Sequence, residues 1–511
     1  MTAELARIGG PLGAAALAVL FVVPGRYARL AALGGWALGG CLLALYLAPS
    51  GHEVLLAPGG VVVVGVGAGL AVLFLRWPWL IALAALACVP ARIPVTVGNE
   101  EASLLLPLYL VVLGAALVLA WQLVRGDQRS RELGPLAWPL AAFVAWTGLS
   151  LAWSQDLRQG AIALLAFYLP FGVLAVAAAR LPWSRRWLTA MYGLLASMAL
   201  VFAAVGVYQW TTRDVFWNPK VIVGNAYLPF YRVNSVFWDP SIYGRFLVVA
   251  ILASLVIALY GGTRDHIVGA VALIVAVWVG LYFSFSQSSF VALIAGVLVA
   301  AAFAWGRRAA LAVTLAFVLV GAAVLATPQV RHEVLGGRSG LGLNRVTSGR
   351  SKLVNEGLKI AIHHPVAGVG IGGFKHAFAK RTGLRGKEPK KAASHDTPVT
   401  VAAETGVPGL LLLGWLVLTA LLTAWRRLPR TFEGRSSLAF GLVIAAVGVD
   451  SIFYNAFFED PVVWGLFGLI PLAAAAVAAR RALPVPAEAE PAAETPRERV
   501  LEPVPRVEPA S

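Results

Sequence analysis

The stretch His395-Asp396-Thr397-Pro398, followed by Glu404 and then by Gly406, Pro408 and Gly409, carries the densest chemistry in the chain. Thr397 is a good N-cap and Pro398 a good first helical residue, so the pattern predicts a helix that starts here and runs into an apolar block. Its free N–H groups and positive dipole end suit phosphate oxygens. His395 precedes that end, where the dipole disfavours the imidazolium and a neutral ring can take a proton from a hydroxyl. Glu404 falls two turns further in, and the Gly406/Pro408/Gly409 group kinks the helix behind it. Two readings remain at this point: a loop-capping His395 with Glu404 paired to a loop arginine, or a functional pair. A carboxylate in an apolar helix is costly, which weighs toward function.

A second segment runs from Tyr231 through Arg232, Asn234, Asp239, Pro240 and Tyr243 to Arg245. Asp239-Pro240 reads as an N-cap and first-turn proline, which puts Arg245 more than one turn inside a membrane helix. Its partner is either Asp239 or an anionic ligand. Arg232 has aromatic residues around it, and a guanidinium fork there suits a pyrophosphate or a sugar; otherwise it snorkels to lipid headgroups. A third segment holds Arg350, a helical pattern to Ile362, then His363-His364-Pro365 and glycines at 368, 370, 372 and 373. The helix has an apolar stripe suited to lying on a membrane, and the glycines allow a tight turn close to a ligand. His363 and His364 read as interfacial. Ser284 to Ser289, with Gln287, is a polar break between apolar blocks. Asp450 is an acid inside a late helix that either pairs with Arg245 or another intramembrane cation, or carries protons.

These residues need elements to hold them, and the composition says what those are. Of 511 residues, 59% are hydrophobic and only 13% charged, and the mean hydropathy is +0.78. A soluble domain carries about 25% charged residues, so this is a membrane protein without a separate water-soluble catalytic domain. Active-site residues must come from helix ends and loops. The excess of 41 Lys and Arg over 25 Asp and Glu points to orientation in the bilayer, and nucleic acid is not an expected partner. Cys41 and Cys88 lie in apolar blocks and imply neither a disulfide framework nor a metal site.

Apolar blocks recur from 11–24 to 461–479, with 11–24 and 77–90 short for a crossing. We expect an all-α, polytopic integral membrane helical bundle of about 12–15 transmembrane helices, with a long extracytoplasmic loop containing short helices. Arginine-bearing connectors after every second block should face the cytoplasm. The expected organisation is a transmembrane region over 1–326, an extracytoplasmic basic loop over 327–397, C-terminal transmembrane helices over 398–480, and a disordered cytoplasmic tail over 481–511 rich in Pro, Ala and Glu. The basic loop suits an anionic substrate or anionic lipid headgroups.

Taken together, the arginine segment from Arg232 to Gly244, the serine turn at 284–289, the run from Arg350 to Phe374 and the His-to-Glu-to-glycine pattern from His395 to Gly409 resemble the O-antigen ligase and O-antigen polymerase superfamily of polytopic membrane glycosyltransferases. The likeness covers about residues 140–480 in order and spacing. It implies transfer of a glycan from a polyprenyl diphosphate carrier to a hydroxyl of an acceptor glycan, glycolipid or protein, with no nucleotide sugar, no cofactor and no metal. It also implies a bacterial inner-membrane location, with the site facing the periplasm or cell exterior and in contact with membrane lipids. By resemblance Arg232 and Arg350 bind the diphosphate, His395 is the base or orients the acceptor, and Glu404 supports it; Arg245, Asn234, Tyr243, Gln287 and Asp239 complete the substrate-binding set. The chain departs from many relatives at Gln287, where they carry arginine, and at Asp396, where they carry asparagine. The alternative function is a lipid-linked oligosaccharide or polysaccharide transporter, which would need a charged cavity near the bilayer midplane.

Overall fold

A computed structural model describes residues 2–48, 53–97, 100–227, 230–326, 350–383, 396–426 and 429–482. Among them, twelve helices are long and apolar enough to cross a membrane. In chain order the helices are α1 (Thr2–Val22), α2 (Arg26–Leu47), α3 (Glu53–Arg76), α4 (Leu80–Ala87), α5 (Leu106–Val124), α6 (Ala137–Leu149), α7 (Leu157–Ala163), α8 (Leu169–Ala179), α9 (Arg185–Thr212), α10 (Pro219–Tyr227), α11 (Pro240–Tyr260), α12 (Arg264–Ser284), α13 (Gln287–Trp305), α14 (Arg307–Ala326), α15 (Arg350–His363), α16 (Phe374–Thr382), α17 (Thr397–Trp425), α18 (Phe432–Asp450) and α19 (Pro461–Ala482). The membrane body is all-helical as expected. One antiparallel hairpin, β1 (Ile93–Val97) with β2 (Glu100–Leu104), pairs Ile93 with Leu104 and Val97 with Glu100.

The two short blocks resolve differently. The first helix begins at Thr2, well before residue 11, because Leu5, Ala6 and Ile8 continue the apolar pattern around Glu4 and Arg7, giving a 21-residue helix. The block at 77–90 holds only the eight residues of α4 as regular helix, too few to cross a bilayer alone.

Helices that are apolar on every side belong in the middle of a bundle. Accordingly every residue of α8 is buried, and α11 is buried from Pro240 through Leu252. At one end of the bundle the connectors carry arginines in ion pairs. Arg29 meets Glu132 at 2.8 Å, Arg180 meets Asp127 at 2.7 Å and also Glu132, and Arg480 meets Glu433 at 2.9 Å. We call this the arginine end. The hairpin, α10, α15, α16 and the starts of α11, α13 and α17 lie at the other, the loop end. The expected tail falls almost wholly on 483–511, outside the described residues, as do 327–349 and 384–395 of the basic loop.

Candidate functional site

Three helices begin close together at the loop end. Asp239 caps α11 as the sequence predicts, its Oδ1 accepting from the Ser241 amide at 2.7 Å. Ser286 caps α13, and its hydroxyl lies 2.8 Å from that of Ser289. Ser289 donates to the Ser241 carbonyl at 3.4 Å, which ties the two helix starts together. The cap of α17 is shifted by one residue from expectation: Asp396 takes it, accepting from the Val399 amide at 2.8 Å. Thr397 is instead the first helical residue. Its hydroxyl donates to Asn455 Oδ1 at 2.9 Å and its amide to the Ser451 carbonyl at 2.8 Å. Burial pushes the Asp396 carboxyl up, and the Val399 amide pulls it back in part. Asparagine caps as well as aspartate, so Asp396 makes the same hydrogen bond that the asparagine of relatives could make.

Arg232 sits beside the turn that leads into α13. Its backbone is clamped by Asn225, whose Oδ1 accepts from the Arg232 amide at 3.0 Å and whose Nδ2 donates to the Arg232 carbonyl at 2.9 Å. Its Nε donates to the Ser284 carbonyl at 3.3 Å, and the Val233 amide donates to the Phe283 carbonyl at 3.2 Å. The arginine segment and the serine turn, separate in sequence, are therefore joined. Gln287 is exposed at the first turn of α13. Asn234 and Tyr243 are buried instead: Asn234 Nδ2 donates to the Phe237 carbonyl at 2.7 Å, and the Tyr243 hydroxyl to the Phe202 carbonyl at 3.2 Å.

Arg245 takes neither of the partners first weighed for it. Its Nε donates to Asp450 Oδ2 at 2.6 Å, and its Nη1 pairs with Asp460 at 3.2 Å, while the Tyr454 ring lies 5.4 Å from the guanidinium. Asp239 is occupied as a cap, and the intramembrane Asp450 supplies the charge, as the pairing considered for it anticipates. This cluster fastens α11 to α18 and to the 451–460 turn, which also holds Thr397. The starts of α11 and α17 are thus linked through one turn.

Glu404 is placed two turns into α17 as predicted. Its carboxylate accepts from the Phe374 amide, at the start of α16, at 3.3 Å. From Thr397 to Glu404 the helix rises about 10 Å, so the Glu404 carboxylate serves the glycine loop rather than the start of α17. That loop meets protein, not an open ligand pocket. The Val369 amide donates to the Ala403 carbonyl at 2.9 Å, the Gly370 amide to the Glu404 carbonyl at 2.8 Å, and the Val407 amide to the Pro365 carbonyl at 2.7 Å. Gly370 has φ of +83° and a Cβ there would collide with the Ser154 backbone. Gly406, at φ +72°, breaks α17 where the loop crosses it.

The residues that anchor this loop and the α17 kink it crosses are ones the sequence did not single out. Trp146 Nε1 donates to the Thr405 carbonyl at 2.8 Å and Trp153 Nε1 to the Ala367 carbonyl at 2.9 Å. Ser154 donates to the Ile371 carbonyl at 2.7 Å, and Ser150 accepts from the Ile371 amide at 3.0 Å. The polar cluster Ser150 to Asp156 directly after an apolar block was the available signal. The helix expected after Arg350 is α15. Its Ile360 packs with Phe374, Phe378 and Ala403, so part of the predicted membrane-facing stripe is covered by protein, while Leu358 and Ile362 remain exposed. His363 and His364 are exposed. Arg350 is the first residue of α15, and His395 lies outside the described residues.

An all-helical body with twelve helices long and apolar enough to cross a membrane among the described residues defines a multi-pass integral membrane protein. Residues 270–414 match the family model described as O-antigen ligase. This match supports membership of the O-antigen ligase superfamily, membrane proteins of the glycan-transferring ligase or polymerase kind. The matched stretch takes in Gln287, Arg350, the glycine loop, His395 and Glu404, and leaves out Arg232 and Arg245. A search of curated proteins gives no match.

Proposed function

We propose that this protein is a glycosyltransferase that moves a glycan from a polyprenyl diphosphate carrier to an acceptor hydroxyl at the outer face of the bacterial inner membrane. The observation that carries this reading is the joining of the α11 and α13 starts beside Arg232 and the Ser284 turn, with the α17 start tied to α11 through the 451–460 turn. Helix starts offer unpaired amides and a positive dipole end, which suits a lipid-borne diphosphate at the bilayer surface. The arginine end then faces the cytoplasm and the loop end faces outward.

In the reaction the acceptor oxygen attacks the anomeric carbon of the glycan. The bond from that carbon to the diphosphate oxygen breaks as the new glycosidic bond forms. His395 takes the hydroxyl proton, and the charge that grows on the departing polyprenyl diphosphate is met by Arg232, Arg350 and helix amides. Gln287 contacts the donor as a neutral group where relatives carry arginine. Glu404, Arg245, Asp239, Asn234 and Tyr243 act as positioning residues: Glu404 holds the glycine loop and the other four hold the α11 start. The transporter alternative is disfavoured because Arg245 and Asp450 are bound to each other and buried, rather than facing a midplane cavity.

Purified protein given a polyprenyl diphosphate glycan and candidate acceptors tests the proposal. Loss of one donor to a developing oxyanion lowers turnover by roughly 100- to 1000-fold, the expectation for Arg232→Ala. His395→Ala should block transfer while the protein still binds carrier lipid. Full turnover by both variants removes the proposed site.

A further inference from the structure

From the arginine end, an apolar groove of about 910 Å³ runs between α4, α8, α9, α11, α12, α18 and α19 and reaches Val249 and Pro461, close to the Arg245–Asp460 pair. Along α9 its lining extends from Arg185 to Leu200, about 22 Å at 1.5 Å per residue. One leaflet contributes roughly 15 Å of hydrocarbon, so the groove is long enough for a lipid chain. Its walls, with Leu188, Leu195, Val256 and Leu273, are mostly apolar, with Thr189, Tyr192 and Ser436 among them.

The mouth is different. Three helices start around it: α9 at Arg185, α12 at Arg264 and α18 at Phe432. All three turn positive dipole ends toward the same place. Arg185 and Arg435 line the mouth, Arg185 lying 5.4 Å from the Phe432 ring. Arg430 adjoins them in a recess shared with Tyr260 and Arg435. Two buried polar atoms here have no hydrogen-bond partner among the described residues, Arg435 Nε and the Tyr260 hydroxyl. Asp265 is the single acid on the lining, with His266 beside it. Unsatisfied buried donors are costly, and cations together with helix starts form a site for a phosphate.

We propose that this groove binds an anionic glycerophospholipid of the arginine-end leaflet. Its chains follow the apolar wall, and its phosphodiester sits beside Arg185 and accepts hydrogen bonds from Arg435 Nε and the Tyr260 hydroxyl, which are enclosed in the structure and are uncovered by a side-chain shift on binding. This assignment does not depend on the transfer reaction. A soluble anion would have no use for the long apolar wall, and a zwitterionic lipid would bring a second cation into a mouth that already holds three arginines.

The test uses the full-length protein purified in neutral detergent, with native mass spectrometry counting retained phosphatidylglycerol against phosphatidylcholine of identical chains. Each arginine near an anionic headgroup favours it by enough that Arg185 and Arg435 together give about a thirtyfold preference. Arg185→Gln/Arg435→Gln should abolish that preference, and Tyr260→Phe should lower it several-fold. Ala253→Trp, which fills the groove without altering charge, should reduce retention of both lipids and keeps the test readable if the double variant does not fold. Equal retention of the two lipids by the wild type, or an undiminished preference in the double variant, overturns the assignment. So does full displacement of the lipid by an equal concentration of glycerol phosphate, which would leave an anion site without a role for the groove.

Discussion

Arg232 and Arg245 look alike in the sequence, each an arginine near the start of the same helix, yet they face opposite conditions. Arg232 is half-buried, with its backbone clamped by Asn225 and its Nε on a carbonyl. Arg245 is 3% exposed and held by two aspartates. Breaking a buried ion pair by removing one partner costs about 3–5 kcal/mol. Asp450→Asn should therefore lower the melting temperature markedly in detergent, and Arg245→Leu/Asp450→Leu should recover much of the loss; an unchanged melt for Asp450→Asn would deny the cluster its fastening role. Asp396 makes a finer point. Its cap hydrogen bond survives in Asp396→Asn, which should keep near wild-type transfer, whereas Asp396→Ala loses about 1 kcal/mol of helix-start stability and should transfer more slowly. Equal activity of the two variants would show that the cap is not used.

At the scale of elements, much of the site was legible before the fold was known. The helix starting at the α11 cap, the helix after Arg350, the kink behind Glu404 and the serine turn between α12 and α13 all follow from capping residues, prolines and hydrophobic blocks. What was not legible was the object each glycine approaches. Spacing announces a tight turn, but only the fold brings Ser150, Trp153 and Ser154 from another part of the chain against it. Gly370→Ala should detach that loop through its steric conflict with Ser154, giving faster limited proteolysis between α15 and α17 in a protein that still inserts; unchanged protease resistance would contradict the packing. At the arginine end, hydrogen bonds from Arg129, with further help from Arg180, hold the Asp127 carboxyl down at about 2 against burial. A carboxyl lowered by folding stabilises the fold above its unfolded value near 4, and the contribution is lost as pH falls toward 2. The wild type should therefore melt above Asp127→Asn at pH 6, with the gap closing between about pH 4 and pH 2. A gap that persists at pH 2 would place the effect elsewhere.

For the whole molecule, the bilayer explains both the success and the limit of the sequence. Without water in its core, the membrane requires helices whose backbone bonds are satisfied internally, so hydropathy alone yields an all-helical body and most of its crossings. The same uniformity hides which apolar helix is central, since α8 and the more exposed α9 are both apolar but only α8 is buried throughout. It also leaves open which partner Arg245 takes: Asp450, 205 positions away, is one candidate among several until the fold brings the two together. The central claim is that helix starts and arginines at the loop end stabilise a departing lipid diphosphate. The most direct measurement follows one round of turnover in proteoliposomes with a radiolabelled polyprenyl diphosphate glycan, scoring acceptor glycoside and free polyprenyl diphosphate together. Equal release of both products by the wild type, with a loss of roughly 100-fold or more in Arg232→Ala, is the predicted result. Labelled glycan that crosses the bilayer still attached to its carrier, with no glycoside formed, would contradict the account.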